Sequence, residues 1–257
     1  MSELDYLTAA LLGALQGLTE FLPISSSAHL ALTQRWFDLD PQGAEMLLFD
    51  VLVHLATLAA VVIVFRRSAL RFCHRLYGEA TGASSGRRCA WWIVLLAMAA
   101  TVPTGVIGLL FKDHFEAAFG KPRAIGTCLM VTGCLLIALV MVPRGRRGWR
   151  ALRWWEAALI GLAQAIAILP GISRSGSTIC VASYFGWRRR WAVEFSFLIA
   201  APAIAGGAIL KIKDTFDLSP EALQSIDWGP ILLGSGVSLV AGIFALMLLL
   251  QAVRRAR

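Results

Sequence analysis

The side chains best suited to chemistry lie close together in one short stretch of this 257-residue chain. Gln16 and Glu20 are four residues apart, so on a helix they occupy one face. Pro23 interrupts the helical pattern, and a run of hydroxyls and an imidazole follows at Ser25, Ser26, Ser27 and His29. A carboxylate in this setting can hold a divalent cation that bridges phosphate oxygens. A histidine beside hydroxyls favours general acid–base or nucleophilic chemistry.

A second version of the stretch occurs 148 residues later, from Gln164 to Thr178. Residues 10–30 and 158–178 are identical at seven of 21 positions without a gap. The copies differ where chemistry would need them to differ, because Glu20 and His29 occur only in the first and Arg174 only in the second. We interpret them as two halves of one site.

Each copy predicts a new half-helix that starts just after its proline. The free N–H groups of a helix N-terminus form an anion site, and two such termini meeting inside a membrane would cradle a diphosphate. The predicted phosphate contacts in the two loops are Ser25, Ser27, Gly171, Ser173, Ser175, Gly176 and Thr178. Arg174 is suited to forked phosphate contacts because its guanidinium is planar and always charged.

Structural explanations compete with each of these assignments. Glu20 and Arg174 could form a purely structural ion pair, and His29 could serve only as a hydrogen-bond partner within the membrane. One serine in each loop could simply cap the helix that follows. Capping alone leaves three hydroxyls, two glycines and an arginine without an explanation, which favours the functional interpretation.

The composition predicts an all-α, polytopic membrane protein. The chain is 58% hydrophobic and 16% charged, with a mean hydropathy of +0.69, whereas soluble domains are about 45–50% apolar and about a quarter charged. The acidic start of the chain predicts no cleavable signal peptide. The net charge of +8 lies mainly in arginines beside apolar segments, which argues against a nucleic-acid-binding protein. We interpret the five cysteines, none of them in a C-x-x-C pair, as small packing residues.

The hydropathy pattern predicts two interrupted segments and five complete crossings. The first inverted repeat (residues 1–142) has a re-entrant segment at 4–37 and spans at 46–65, 89–111 and 124–142. The second (residues 143–257) has a re-entrant segment at 155–187 and spans at 191–210 and 230–250. In this scheme the span at 124–142 lacks a counterpart in the second repeat. Together the repeats form one membrane domain.

Charge predicts the orientation of these segments. Arginine-rich loops lie in the cytoplasm, which places residues 66–88, 143–153, 188–190 and 254–257 inside and 38–45, 112–123 and 211–228 outside. The first interrupted segment must then enter from outside and the second from the cytoplasm. Because three crossings separate them, the repeats are inverted, an arrangement that forms polar sites near the membrane midplane.

At these residues the chain resembles the undecaprenyl-diphosphatase family, the bacitracin-resistance type of integral-membrane phosphatase. The first motif reads Q-G-L-T-E-F-L-P-I-S-S-S-A-H from Gln16 to His29, and the second reads P-G-I-S-R-S-G-S-T from Pro170 to Thr178. The likeness continues through E-F-S-F-L-I-A-A-P at residues 194–202. Gln16 stands where many members carry a glutamate, which removes one potential carboxylate ligand.

The resemblance implies hydrolysis of undecaprenyl diphosphate to undecaprenyl phosphate, which recycles the carrier lipid for peptidoglycan synthesis and confers bacitracin resistance. It also implies a Mg²⁺ or Ca²⁺ ion, a homodimer, and a bacterial inner-membrane site that opens to the outer face. Glu20 and Gln16 would serve the metal and the diphosphate, Arg174 would clamp the phosphates, and Ser26 would be the nucleophile with His29 as its partner. Attack by His29 or by metal-bound water stays open.

A second class of function shares the predicted architecture. Inverted repeats with broken helices are also a transporter design, so a flippase for a polyisoprenyl phosphate is the alternative. A carrier needs anion contacts but neither a nucleophile nor a base. The presence of Ser26 near Glu20 and His29 therefore favours the enzyme.

Overall fold

A computed structural model describes residues 4–81, 90–148, 151–216 and 226–255 of the chain. Within these ranges the structure is helical, and the single β-bridge joins Arg147 to Trp187. The helices are α1 (Tyr6–Phe21), α2 (Ser26–Trp36), α3 (Ala44–Ala80), α4 (Ala90–Leu110), α5 (Lys112–Phe119), α6 (Pro122–Met141), α7 (Trp154–Ile166), α8 (Arg174–Tyr184), α9 (Arg189–Phe216) and α10 (Trp228–Arg255). The predicted all-α class is confirmed.

Five of the described helices, α3, α4, α6, α9 and α10, are long and apolar enough to cross a membrane. They coincide with the five predicted spans, which confirms a multi-pass membrane protein. The spans are buried within the chain to different degrees. Only 17% of the apolar window of α4 and 11% of that of α6 is buried within the chain, against 39% for α3 and α9.

The prediction of a loop beginning at Arg66 is wrong, because α3 continues as a helix to Ala80. A helix of 37 residues is about 55 Å long, whereas the hydrocarbon core is about 30 Å thick. Arg66, Arg67, Arg71 and Arg75 therefore lie on the part of α3 that extends beyond the apolar span. Arg87, Arg88 and Cys89 lie outside the described residues.

Three other predicted loops are also partly helical. Residues 112–119 form the short helix α5. Arg189 and Arg190 form the first turn of α9, where Arg190 pairs with Glu194 at 2.8 Å. In the predicted loop 211–228, residues 211–216 belong to α9 and residues 217–225 lie outside the described residues.

The two interrupted segments are pairs of short helices. α1 and α2 have 16 and 11 residues, and α7 and α8 have 13 and 11, fewer than the roughly 20 that cross a bilayer. Within each pair the helices pack against each other. This confirms the breaks at Pro23 and at Pro170, and entry from opposite sides of the membrane stays a prediction.

An acidic side chain stabilises the first turn of the first helix in each pair. Asp5 caps α1 by accepting hydrogen bonds from the backbone N–H and the hydroxyl of Thr8, both at 2.8 Å, and these bonds lower the pKa of the Asp5 carboxyl. At the start of α7 the buried Glu156 carboxylate accepts bonds from Arg147 at 2.7 and 3.2 Å. Arg147 also donates to the Phe185 carbonyl at 2.7 Å, which joins the start of α7 to the end of α8.

The first helices of the two pairs, α1 and α7, pack on different spans through glycines that correspond between the two sequence copies. Gly13 of α1 lies against the backbone of Gly234 in α10, and Gly161 of α7 lies against the backbone of Ala100 in α4, so that a Cβ at either glycine would clash. Since the glycines are related by the 148-residue offset, α4 and α10 occupy matching positions beside α7 and α1. α6 packs on α8 instead. The first helix of each pair thus packs on a span of the other predicted repeat. This arrangement supports the predicted repeat boundaries, which stay a prediction.

The largest buried apolar cluster lies directly beside the candidate site. It joins α1, α3, α4, α7, α8, α9 and α10 around Phe21, Leu96, Ile160, Phe197 and Leu246. Phe21, the neighbour of Glu20 in sequence, meets Phe197 edge to face with ring centroids 5.7 Å apart. This packing fixes the end of α1 and with it the direction of the site carboxylate.

Candidate active site

Glu20, at the end of α1, is the centre of the site. Its side chain is 4% exposed. Oε1 accepts from Arg174 Nη2 at 2.5 Å, and Oε2 accepts from Ser26 Oγ at 2.5 Å and from Gln16 Nε2 at 2.9 Å. The structure thus brings together residues from α1, α2 and α8 on one carboxylate, as the division of the site between the two copies predicts.

The hydroxyl of Ser26 is hydrogen-bonded to the Glu20 carboxylate. A hydroxyl carries one hydrogen, and Ser26 donates it to Glu20. The imidazole of His29 lies one turn along α2, with Nδ1 2.8 Å from the Ser25 carbonyl. In this structure the hydrogen-bond partner of the Ser26 hydroxyl is thus Glu20, and the catalytic partnership of Ser26 with His29 that the family resemblance implies stays a prediction.

A strained backbone turn sets the direction of Ser26. Ser25, the residue before α2, has φ of 67°, a left-handed conformation that is uncommon for a residue other than glycine. Its hydroxyl accepts a bond from the backbone N–H of Gly171 at 3.1 Å and lies 3.4 Å from the hydroxyl of Ser27. The turn is held by the second loop, which offsets its cost of roughly 1–3 kcal/mol.

The two loops touch at a second point. Ser175 donates to the Leu22 carbonyl at 3.2 Å, and Gly176 lies so close to Pro23 that an added Cβ would come 3.3 Å from the Pro23 oxygen. The first turn of α8 therefore meets the loop that leads into α2, as the cradle hypothesis requires.

The remaining predicted phosphate contacts divide into capping and packing roles. Ser173 accepts from the Gly176 N–H at 3.0 Å and caps α8, so the capping interpretation holds for this serine. Thr178 donates its hydroxyl to the Arg174 carbonyl at 2.8 Å and lies 2.6 Å from the Ser196 hydroxyl. Thr178 is therefore directed to its own helix and to α9, away from Glu20.

Thr132 of α6 fixes the second loop, although sequence reasoning gave it no role. Its hydroxyl donates to the Gly171 carbonyl at 2.6 Å and accepts from the Ser173 N–H at 2.9 Å. A single threonine in an apolar span carries no signal that would have marked it. This contact explains why α6, the helix without a predicted counterpart, is packed against α8.

Replacement of Gly171 by alanine is expected to disrupt this loop. Gly171 has φ of +106°, and a Cβ there would clash with Cys128 and the Ile125 carbonyl. Left-handed backbone and overpacking each cost roughly 1–3 kcal/mol, so we expect a clear fall in the unfolding temperature and in any activity of the site. Thermal unfolding of the purified protein measures the first. Gly126→Ala on α6, where a Cβ would meet nothing within 4 Å, is the matched control and should behave as wild type.

His54 of α3 is a fourth neighbour of Glu20 that sequence reasoning missed. Its Nε2 atom lies 3.8 Å from Glu20 Oε2. The available signal was the spacing of Asp50, His54 and Thr57, at i, i+4 and i+7, which predicts one polar face on an otherwise apolar span. Asp50 and Thr57 are buried, and Asp50 accepts from Gln34 Nε2 at 2.7 Å.

Two side chains of the site supply oxygen atoms that are suited to a divalent cation. The Glu20 carboxylate is one donor group, and Gln16 Oε1 is buried with no hydrogen-bond partner. Among the described residues no cluster of three or more His, Cys, Asp or Glu side chains has the geometry to hold a metal by itself. Mg²⁺ typically binds through one or two protein oxygens together with substrate phosphates, and the residues present fit that mode.

The four described cysteines Cys73, Cys128, Cys134 and Cys180 are free thiols. Cys180 is buried and Cys128 partly buried, whereas Cys73 and Cys134 are exposed, so the interpretation as packing residues within the chain fits only the first two.

The chain is similar to known proteins over nearly its whole length. A family model described as "Bacitracin resistance protein BacA" matches residues 9–257. An undecaprenyl-diphosphatase of Carboxydothermus hydrogenoformans is 39% identical over 249 residues, which cover 97% of this chain and 89% of the relative. One of Rubrobacter xylanophilus is 41% identical over 252 residues, covering 98% and 91%. One of Halorhodospira halophila is 38% identical over 260 residues, covering 97% and 90%.

Proposed function

The chain belongs to the bacitracin resistance protein BacA family, and on that premise we propose that its two loops form the site at which undecaprenyl diphosphate is hydrolysed. The protein is an integral-membrane phosphatase that converts undecaprenyl diphosphate to undecaprenyl phosphate and inorganic phosphate, a reaction of cell-wall biogenesis. The observation that carries the assignment of the site is the shared Glu20 carboxylate, which binds the Ser26 hydroxyl from one loop and Arg174 from the other.

In the proposed first step Ser26 accepts the terminal phosphoryl group. Its Oγ forms a bond to the terminal phosphorus while the bond from that phosphorus to the bridging oxygen breaks. The hydroxyl proton passes to Glu20, which is already its hydrogen-bond acceptor. Undecaprenyl phosphate leaves with the electron pair of the broken bond on its oxygen. A base already bonded to the nucleophile is the usual way in which a serine is activated.

In the second step water attacks the phosphoserine. The bond from phosphorus to Ser26 Oγ breaks, Glu20 returns its proton to that oxygen, and the water oxygen leaves with its hydrogens as part of inorganic phosphate. His29 lies one turn from Ser26 on α2 with Nδ1 bonded to the Ser25 carbonyl, so its Nε2 edge is the one available to orient the water.

Arg174 stabilises the charge that develops on the phosphoryl oxygens. Its guanidinium can form paired bonds to phosphate. In the free protein it is held by Glu20, so it is positioned before the substrate arrives and needs to exchange only one partner. Preorganised charge of this kind is usually a large component of phosphoryl-transfer catalysis.

A divalent cation, Mg²⁺ or Ca²⁺, is part of the proposal. Glu20 and the unpartnered Oε1 of Gln16 would hold it, and when bound it supplies positive charge to the diphosphate oxygens. Treatment with a chelator is expected to lower phosphate release by at least about 100-fold, since charge stabilisation by a bound cation is worth several kcal/mol. Excess Mg²⁺ or Ca²⁺ should restore it.

The test is phosphate release by the purified protein from undecaprenyl diphosphate, with and without chelator. Release that is unchanged by chelator would contradict the cation assignment while leaving the enzyme intact. No release under any ion would contradict the enzyme. A flippase is the disfavoured alternative, because the relatives bear the phosphatase name and a carrier has no use for a serine bonded to a base.

The cellular membrane, the orientation of the site and the oligomeric state are also part of the proposal. We place it in the bacterial inner membrane with the site open to the outer face, supported by the arginine distribution. A homodimer and contacts with membrane lipids, which the family resemblance implies, complete the proposed assembly.

A further inference from the structure

The segment E-F-S-F-L-I-A-A-P at residues 194–202 belongs to neither loop, yet it lies against helices of both interrupted pairs. It is part of α9, one of the helices long and apolar enough to cross a membrane. The ring of Phe197 meets that of Phe21 in α1, with centroids 5.7 Å apart. The hydroxyl of Ser196 lies 2.6 Å from that of Thr178 in α8. This turn of α9 therefore contacts one helix from each pair.

Two hydrogen bonds in series connect Ser196 to the backbone of Arg174. Thr178 donates its hydroxyl hydrogen to the Arg174 carbonyl at 2.8 Å. Because a hydroxyl carries only one hydrogen, the hydrogen between the Ser196 and Thr178 hydroxyls comes from Ser196. Among the described residues the Ser196 hydroxyl has no second hydrogen-bond partner. Loss of this hydroxyl would therefore disconnect the series from α9.

Both hydroxyl side chains of this series are buried, so that water is not at hand to replace either one. Ser196 is 2% exposed and Thr178 0%. Phe195 and Phe197, on either side of Ser196, belong to the largest apolar cluster. A buried hydroxyl without a partner is costly, so the bond between the two hydroxyls favours a single position of the beginning of α8 along α9.

The guanidinium of Arg174 returns to the same helix. Its Nη1 atom lies 3.5 Å from the Ala200 carbonyl, one turn after Ser196 on α9, while Nη2 is bonded to Glu20. Arg174 is thus tied to α9 through its backbone and lies beside α9 at its charged end. In the proposed reaction the guanidinium exchanges Glu20 for phosphoryl oxygens, and the bonds that hold its backbone through Thr178 stay in place.

We propose that Ser196 is a positioning residue that, through Thr178, sets the place from which Arg174 reaches the diphosphate. This inference rests on the proposed function. Ser196 is bonded neither to Glu20 nor to Ser26, so its effect on the reaction passes through Arg174. A charge donor stabilises a transition state best when it is held in place beforehand, and a displacement of about 1 Å can cost about 100-fold in rate.

Kinetics in two backgrounds test the role. Ser196→Ala is expected to lower kcat/KM for phosphate release by about 10-fold, because the guanidinium is then less well placed. In an Arg174→Gln background the same substitution should change kcat/KM by less than about twofold, since no guanidinium is left to misplace. Ser183→Ala is the matched control and should equal wild type. Ser183 is buried on α8, and its hydroxyl has no partner among the described residues.

Substitutions of Thr178 separate the hydrogen bond from the shape of the side chain. Thr178→Val keeps the branched shape, removes the hydroxyl and should lower kcat/KM as much as Ser196→Ala does. Thr178→Ser keeps the hydroxyl and should retain most of the wild-type rate. The double variant of Ser196→Ala with Thr178→Val should be no more than about twofold below Thr178→Val alone, because both substitutions break the same connection.

Three kinetic results would overturn the proposal. Wild-type kcat/KM in Ser196→Ala would show that Arg174 needs no support from α9. The same fold-loss in the wild-type and Arg174→Gln backgrounds would show that Ser196 acts on packing and not through Arg174. Equal losses in the valine and serine variants of Thr178 would show that the methyl group, not the hydrogen bond, is required.

Thermal unfolding distinguishes a failure of this inference from a failure of the proposed function. Ser196→Ala should lower the unfolding temperature more in the wild-type background than in Arg174→Gln, because in the wild type Ser196 also supports the buried pair of Arg174 with Glu20. Equal decrements would refute the link to Arg174. If the wild type released no phosphate, the proposed function would fall, and this comparison would still decide whether Ser196 holds Arg174.

Discussion

Replacement of Ser26 by alanine is expected to lower phosphate release from undecaprenyl diphosphate by at least about 1,000-fold. The variant removes the oxygen that forms the new bond to phosphorus, and loss of a nucleophile that works as a unit with its base is typically among the largest single effects in an enzyme. Binding should persist, because Arg174 and the helix N-termini are unchanged. Steady-state phosphate release, with binding of a non-hydrolysable diphosphonate as the second readout, measures both.

Two further observations make the Ser26 result specific. Ser235→Ala is the matched control, since Ser235 donates to the Ile231 carbonyl of its own helix at 2.8 Å and lies outside the site. Acid quenching of the wild-type reaction should trap phosphate on Ser26. If Ser26→Ala kept most of its activity, with no phosphoserine in the wild type, water would be the attacking group and Glu20 its base.

Replacement of Arg174 by glutamine is expected to impair both catalysis and stability. The guanidinium neutralises Glu20 in the free protein at 2.5 Å and the phosphoryl oxygens in the proposed transition state. Its loss should raise KM and lower kcat, with kcat/KM reduced by at least about 100-fold, because removal of one preorganised charge donor typically costs about 10²–10³. Arg174→Lys should recover only part of the loss, since an ammonium cannot make forked contacts.

The expected loss of stability distinguishes the Glu20–Arg174 pair from an exposed ion pair. Breaking a buried pair costs about 3–5 kcal/mol because a charge is left uncompensated, whereas exposed pairs four residues apart on a helix contribute about 0.3–0.5 kcal/mol. Arg190 forms such an exposed pair with Glu194. Arg190→Gln should therefore leave both the unfolding temperature and phosphate release close to wild type, and equal effects at the two arginines would argue against a special role for Arg174.

The sequence predicted those parts of the site that depend on local signals. The interrupted helices follow from Pro23 and Pro170, and the meeting of Glu20 with Arg174 follows from the division of polar residues between the two copies, which predicts one shared site. The five spans follow from hydropathy. Each of these features is decided by residue type within a window of a few turns.

Features that depend on packing between distant segments were not predictable. The hydrogen bond from Ser26 to Glu20 comes directly after the left-handed turn at Ser25, which a contact from Gly171 holds. His54 and Thr132 reach the site from α3 and α6, where each is a polar residue without a local motif. The helical continuation of α3 through its arginines was missed because charge density was interpreted as a loop signal.

A cycle of Glu20→Gln, Arg174→Gln and the double variant, each measured as kcat/KM for phosphate release, tests most directly whether the two loops act as one site. We expect the carboxylate and the guanidinium to work together on one phosphoryl group. In that case kcat/KM of the double variant will be no more than about threefold below that of the less active single variant, as in other catalytic units. Losses that multiply fully in the double variant would mean that the two residues act independently, and the shared site proposed here would be wrong.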